Sequence, residues 1–224
     1  MIRDLLPGFA ASAEAFDDGA HAPLFPEEET LMAGRQPRRR RQFATSRACA
    51  RRALSDLGVQ SAPILPGRHG EPRWPAGVVG SITHCDGYRA AVVARSGEAA
   101  AVGIDAEPGL PLPEGVRSLV ASPREAASLA RLGAREPRVP WDRLLFSAKE
   151  AAYKAWFPQA RRWCALRDVS VQLGAGGTFT AVPPTLCPEG AGYEGRWLLH
   201  AGLLVTAVLC PADAPGLPPE TVID

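Results

Sequence analysis

The stretch Val102-Gly103-Ile104-Asp105-Ala106-Glu107 closes a short apolar run, Ala99 to Ile104, that reads as a strand. If the strand continues to Glu107, Asp105 and Glu107 project from the same face, because strand side chains alternate with a period of two. Two neighbouring carboxylates repel each other, and a hard cation between them relieves the repulsion. A lone Asp-x-Glu is more often a polar strand end meeting water, so its meaning depends on its surroundings.

Upstream, Val78 to His84 reads as a strand, Cys85-Asp86-Gly87 as a turn, and Tyr88 to Ala94 as the returning strand of a hairpin. Residues 61 to 77 are dense in proline and glycine and read as loop. Before them, Phe43, Ala44, Ala48, Ala50, Leu54 and Leu57 recur at helical steps, which predicts a helix from Arg38 to Leu57 ended by Gly58. Pro26-Glu27-Glu28-Glu29 is a helix start, with acids at the positive end of the dipole. Residues 1 to 25, with Pro7 and Pro23, are expected to wrap the surface.

Downstream, residues 109 to 115 read as loop, and Ser122-Pro123 starts a helix over Arg124 to Leu132. A longer helix is predicted from Trp141 to Trp156, stopping before Pro158. Strand-like segments follow at Val169 to Leu173, Thr178 to Val182 and Trp197 to Cys210. His84 is followed at +7 and +8 by Ala91 and Val92, and His200 at the same offsets by Ala207 and Val208. This weak echo is the pattern that two related α+β halves would leave.

The chain has 224 residues, 46% of them hydrophobic, with a formal net charge of +1, so total charge points to no partner. Charge is local instead: Arg35 to Arg52 holds eight arginines and no acid, either a solvated helix face or a phosphate-binding one. The cysteines Cys49, Cys85, Cys164, Cys187 and Cys210 form no Cys-x-x-Cys, which argues against a zinc site or disulfide framework. Asp4, Glu14, Asp17 and Asp18 break any leader-like apolar run, and no segment approaches a membrane span. A soluble cytoplasmic protein is expected.

The second chemical feature is Phe146-Ser147-Ala148-Lys149-Glu150-Ala151-Ala152-Tyr153-Lys154-Ala155-Trp156. Glu150 and Lys154 share a helix face and would suit a surface ion pair. The surrounding aromatics indicate instead that this helix packs on a core, with its charges at the edge of a cleft. Three carboxylates and two lysines suit a magnesium-bound pyrophosphate. A metal-dependent phosphodiesterase would need the same carboxylates, and a nucleotide-binding module could use the arginine helix. Gly80-Ser81-Ile82-Thr83-His84 is the third feature; a histidine in a strand is more often structural than a ligand.

Taken in order, these motifs resemble the 4′-phosphopantetheinyl transferases of the monomeric surfactin/enterobactin-synthetase type, and most closely their actinobacterial members. The resemblance runs from residue 35 to about residue 210 and rests on Trp74-Pro75 with Gly80 to His84, on Val102 to Glu107, and on Phe146 to Lys154. It implies an α+β fold of two similar halves related by a pseudo-twofold, residues 1–104 and 105–224, with coenzyme A in the cleft between them. It further implies that Asp105, Glu107 and Glu150 hold magnesium (manganese as the alternative) and that Lys149 and Lys154 face the pyrophosphate. Ser81 and His84 would belong to the coenzyme A site, with His84 near the 3′-phosphate and Arg47 and Arg39 gripping it. Relatives often carry a basic residue before a Glu-Pro-x-Trp-Pro element, a place that Arg68 or His69 fills here. The implied reaction moves the phosphopantetheine arm to a serine of an apo acyl or peptidyl carrier protein and releases 3′,5′-adenosine bisphosphate. Glu150 and Lys154 would be catalytic. The implied clients are fatty-acid, polyketide, nonribosomal-peptide and siderophore synthases. No nucleic acid or membrane partner is implied, and one chain carrying both halves suffices as a monomer.

Overall fold

In a computed structural model, which describes residues 1–18, 23–184 and 192–212, the chain forms two antiparallel sheets, each carrying one long helix. Cys187 lies outside the described residues. Strands β1 (Ala11–Ala15), β2 (Val78–Cys85) and β3 (Tyr88–Arg95) make a sheet ordered β1-β3-β2. Strands β4 (Ala99–Pro108), β5 (Ser170–Leu173), β6 (Thr178–Val182), β7 (Tyr193–His200) and β8 (Leu203–Pro211) make a second sheet, ordered β4-β8-β7-β6-β5. The helices are α1 (Pro26–Leu31), α2 (Pro37–Asp56), α3 (Val116–Val120), α4 (Pro123–Arg135) and α5 (Trp141–Ala160).

Strand β3 is buried on both faces, and its alternation shows how the layers stack. Ala91 and Val93 pack with Cys49, Ala50, Ala53 and Leu54 of α2. Tyr88, Ala90, Val92 and Ala94 turn the other way, into a core that also holds Ile104 and Ala106 of β4, and Val205 and Ala207 of β8. The opposite face of the second sheet packs on α5 through Leu144, Ala148, Ala151, Ala155 and Trp156. One face of each sheet thus meets its own helix, and the other faces meet in a shared core.

The two sheets join along β2 and β4. Ile104 N donates to Ser81 Oγ (3.1 Å) and Ala106 N donates to Thr83 Oγ1 (3.0 Å). Both hydroxyls come from β2, and both amides lie on the β4 edge that faces away from β8. Side-chain oxygens therefore satisfy edge amides where no backbone ladder runs.

Two sequence expectations need correction. Residues 11–15 do not merely wrap the surface: they pair with β3, Ala13 opposite Ala91, and the preceding residues Ile2, Leu5 and Leu6 plug the shared core. Helix α5 does not stop before Pro158 but runs to Ala160, with Arg161 (φ 47°) ending it. A proline in the last turn forfeits only the bond to the residue four before it, so the helix need not break there. The segment from Trp197 to Cys210 is a hairpin, as expected around His200, because Ala201 (φ 50°) and Gly202 (φ 76°) make a tight turn with both residues left-handed. His84 and His200 each sit near the end of the first strand of a hairpin, β2-β3 and β7-β8.

Gly103 sets how closely α5 approaches β4. A Cβ there would lie 1.9 Å from the Ala151 carbonyl oxygen and 2.6 Å from the Ala155 nitrogen. Both are helix backbone and cannot rotate aside. Gly103→Ala is therefore expected to destabilise the protein by about 3 kcal/mol, read as a lower urea midpoint with an unchanged m-value.

Candidate active site

Asp105 and Glu107 leave β4 on the same side as Gly103, which is the α5 side. On α5, Glu150 and Lys154 are one turn apart and share a face. The four side chains line one cavity of about 570 Å³. Its opposite wall comes from Arg35, from Arg39 and Arg47 of α2, and from His84 of β2. Acid and base therefore face each other across a single space.

Lys154 does not pair with Glu150, as simple helix spacing would suggest. Its Nζ donates to Asp105 Oδ1 (2.6 Å) and to the Ile104 carbonyl (3.2 Å). Asp105 is 5% exposed, and its Oδ2 is buried with no hydrogen-bond partner among the described residues. Glu107 Oε2 accepts from Arg143 Nη1 at 2.8 Å. Burial, and next the Asp105 charge, push the Glu107 carboxyl above the usual carboxylate range, with Arg143 pulling against them. Glu150 is raised as well, first by burial and then by Asp105 and Glu107, against the pull of Lys154. No three His, Cys, Asp or Glu side chains among the described residues converge closely enough to cage a metal on their own.

On the basic wall, Arg39 Nη1 lies 2.7 Å from His84 Nε2. Arginine can only donate, so Nε2 accepts and the imidazole is neutral with its proton on Nδ1. Burial, and then the charges of Arg39, Arg89 and Lys154, hold the His84 pKa below its ordinary value. Arg47 is nearly buried: its Nε donates to the Ile64 carbonyl (2.8 Å), and its guanidinium stacks 4.3 Å above the Phe43 ring. Burial chiefly lowers Arg47 to about 10, which leaves it charged at neutral pH. Behind it, the fully buried Glu28 accepts from Arg51 Nη1 (2.9 Å) and Ile64 N (2.9 Å) and lies 3.9 Å from Arg47 Nε. In the first turn of α2, Arg38 pairs with Asp86 and Arg40 with Glu29. The arginine run is thus largely committed to partners, and Arg35, Arg39 and Arg47 are its members at the cavity.

A second space of about 410 Å³ adjoins the first and shares Glu150 and Lys154 with it. Trp74, Val79, Tyr153 and Phe157 make it apolar. His69, rather than Arg68, stands at its wall, with its ring 5.4 Å from that of Phe157. Ser81 also borders this space, but its hydroxyl is engaged by Ile104 N and it is 3% exposed.

Lys149 requires a correction: it does not face this cavity. It is fully buried, and its Nζ donates to the Val120 carbonyl (2.7 Å) and to Glu125 Oε2 (2.9 Å). Glu125 also accepts from Ser122 N (2.7 Å) and Val171 N (2.9 Å), so the pair fastens α3, α4 and β5 to α5. Helical periodicity carried the signal, since five residues turn about 140° and place Lys149 far round the helix from Lys154. The same arithmetic would have found Arg143, which precedes Glu150 by two turns on nearly the same stripe and reaches the site unforeseen.

Comparison with known proteins shows the family. Residues 27–94 match the 4'-phosphopantetheinyl transferase N-terminal domain, and residues 101–207 match the 4'-phosphopantetheinyl transferase superfamily. The chain is 48% identical to 4'-phosphopantetheinyl transferase Svp of Streptomyces mobaraensis, covering 96% of this chain and 91% of that one. It is 43% identical to 4'-phosphopantetheinyl transferase PptT of Mycobacterium tuberculosis (93% and 97% covered) and 40% identical to Npt of Nocardia iowensis (93% and 99%). The chain belongs to the 4'-phosphopantetheinyl transferase family and is an enzyme of that activity.

Removing the Lys149 ammonium would leave Glu125 buried without its counter-charge. Lys149→Met is therefore expected to cost about 3 kcal/mol of folding stability, measured by urea denaturation at neutral pH.

Proposed function

We propose that the cavity takes coenzyme A together with magnesium and delivers the phosphopantetheine arm to the serine of an apo acyl or peptidyl carrier protein. The observation that carries this reading is the placement of Asp105, Glu107, Glu150 and Lys154 opposite Arg39, Arg47 and His84 in one space. A nucleotide polyphosphate needs cations on one side and a metal-binding edge on the other. The apolar space beside Glu150 and Lys154 suits the uncharged arm. Residues 1–104 and 105–224 then act as two pseudo-twofold-related halves about coenzyme A, and a monomer is sufficient.

The side chains fit a divalent cation. Asp105 Oδ2 is a buried carboxylate oxygen without a partner, and Glu150 makes no ion pair or hydrogen bond among the described residues. Magnesium takes only one or two protein carboxylates and completes its shell with water and phosphate oxygens, so a closed cage is not needed. Asp105, Glu107 and Glu150 would hold it between them, one or two directly and the rest through its waters, with manganese as a substitute, and when bound it would offset the charge of the pyrophosphate.

In the reaction, the carrier serine oxygen attacks the β-phosphorus of coenzyme A. The bond from that phosphorus to the bridging oxygen breaks, and 3′,5′-adenosine bisphosphate leaves. Glu150 takes the serine proton. Lys154 shifts from Asp105 toward the oxygen that gains charge. Arg39, Arg47 and His84 hold the nucleotide phosphates, with Arg39 and Arg47 toward the 3′-phosphate.

The deciding assay incubates the protein with coenzyme A, magnesium and a panel of apo carriers from fatty-acid, polyketide and peptide synthases. Mass spectrometry is expected to show one added arm per carrier; no gain on any carrier overturns the reading. Glu150→Gln is expected to slow single-turnover transfer by roughly 100-fold or more at saturating magnesium, whereas near-normal turnover removes Glu150 as base.

His84 provides an independent check. Neighbouring cations favour its neutral form, and a bound phosphate opposes them and raises its pKa. Coenzyme A binding near pH 7 is therefore expected to take up protons, seen calorimetrically as a binding enthalpy that varies with buffer ionisation heat. The dependence should shrink in His84→Asn.

A further inference from the structure

We infer that Thr83 is a positioning residue for Asp105: it assigns Oδ1 of that carboxylate to the protein and leaves Oδ2 for the metal. The inference rests on the metal reading above and goes beyond it, to which oxygen binds and what aims it.

Thr83 is 4% exposed and sits on β2, one residue before His84. Its Oγ1 accepts from Ala106 N at 3.0 Å. That bond occupies the acceptor side of the hydroxyl, so the hydroxyl proton must point elsewhere. Asp105 Oδ1, at 3.4 Å, is its acceptor. The contact is longer than the usual hydroxyl–oxygen distance, because the same Oδ1 is already drawn to Lys154 Nζ at 2.6 Å. Oδ1 thus has two donors and Oδ2 has none, although Oδ2 is buried.

The backbone is gripped as well. Ile104 N and Ala106 N, bonded to Ser81 Oγ and Thr83 Oγ1, flank Asp105 on both sides. Of the two seam hydroxyls, only Thr83 also touches the carboxylate. Lys154 must be free to shift toward phosphate during transfer, and Thr83 then remains as the donor that keeps Oδ1 turned away from the metal. A neighbouring hydrogen bond that orients a ligand typically changes metal affinity by 10- to 100-fold, or about tenfold at the low end.

The test uses the full chain saturated with coenzyme A and without carrier, and reads Mn2+ affinity from loss of the free-ion EPR signal. Thr83→Ser keeps the hydroxyl and is expected to bind within about twofold of wild type. Thr83→Val keeps the shape but loses the hydroxyl, and its Kd is expected to rise about tenfold. Each seam variant strands one amide, so Ser81→Ala and Thr83→Val should both lower Tm by about 5 °C. Ser81→Ala should nevertheless keep wild-type Mn2+ affinity, which separates positioning from mere stability. Equal weakening in Ser81→Ala and Thr83→Val, or wild-type affinity in Thr83→Val, overturns the inference. If Thr83→Val does not fold, failure of Thr83→Ser to match wild type overturns it instead. Absence of Mn2+ binding by wild type would sink the metal reading itself.

Discussion

The absence of a side chain at Gly103 is the constraint on which the site depends. It lets the backbone of α5 rest on β4 at a separation that no Cβ would permit. At that separation Lys154 reaches Asp105 two residues along the strand, and Glu150 overhangs the same cavity. A helix held off by one methyl group would still cover the sheet, but its charges would miss those of the strand. Packing here fixes electrostatics: the van der Waals limit sets the distances at which charges act.

Helix α5 carries two lysines with opposite fates. Lys149 turns toward α3 and α4 and is sealed with Glu125, where it ties three elements to the helix. Lys154 turns toward β4 and remains partly exposed at a cavity, where its partner can change. A buried, fully bonded charge gives little scope for exchange, because any new partner must replace several bonds at once. A half-exposed one can trade a carboxylate for a phosphate at small cost. This difference in solvation separates scaffold from chemistry on one helix.

The cavity is built around charges held short of neutrality. Asp105 and Glu107 each give one oxygen to a cation, Lys154 and Arg143, while burial and mutual repulsion raise Glu107 and Glu150. Across the space, Arg39 crowds positive charge against the neutral His84 ring. Each wall carries like charges whose repulsion a group of the opposite sign would relieve.

Much of this was legible in the sequence, because it depends on local period. Alternation put Asp105 and Glu107 on one face, helical spacing joined Glu150 to Lys154, and glycine and proline punctuation gave most element boundaries. The motif resemblance named the family on the same residues. What local period could not supply was the partner of each charge. The pairing of β1 with β3, the hydroxyl seam from Ser81 and Thr83, the burial of Lys149 on Glu125 and the arrival of Arg143 at Glu107 all join residues distant in the chain. Sequence determined which chemical groups this protein has and which way each faces on its own element. Tertiary structure alone decided which groups meet, because the strength of every such pairing is set by distances and desolvation that exist only once the elements pack.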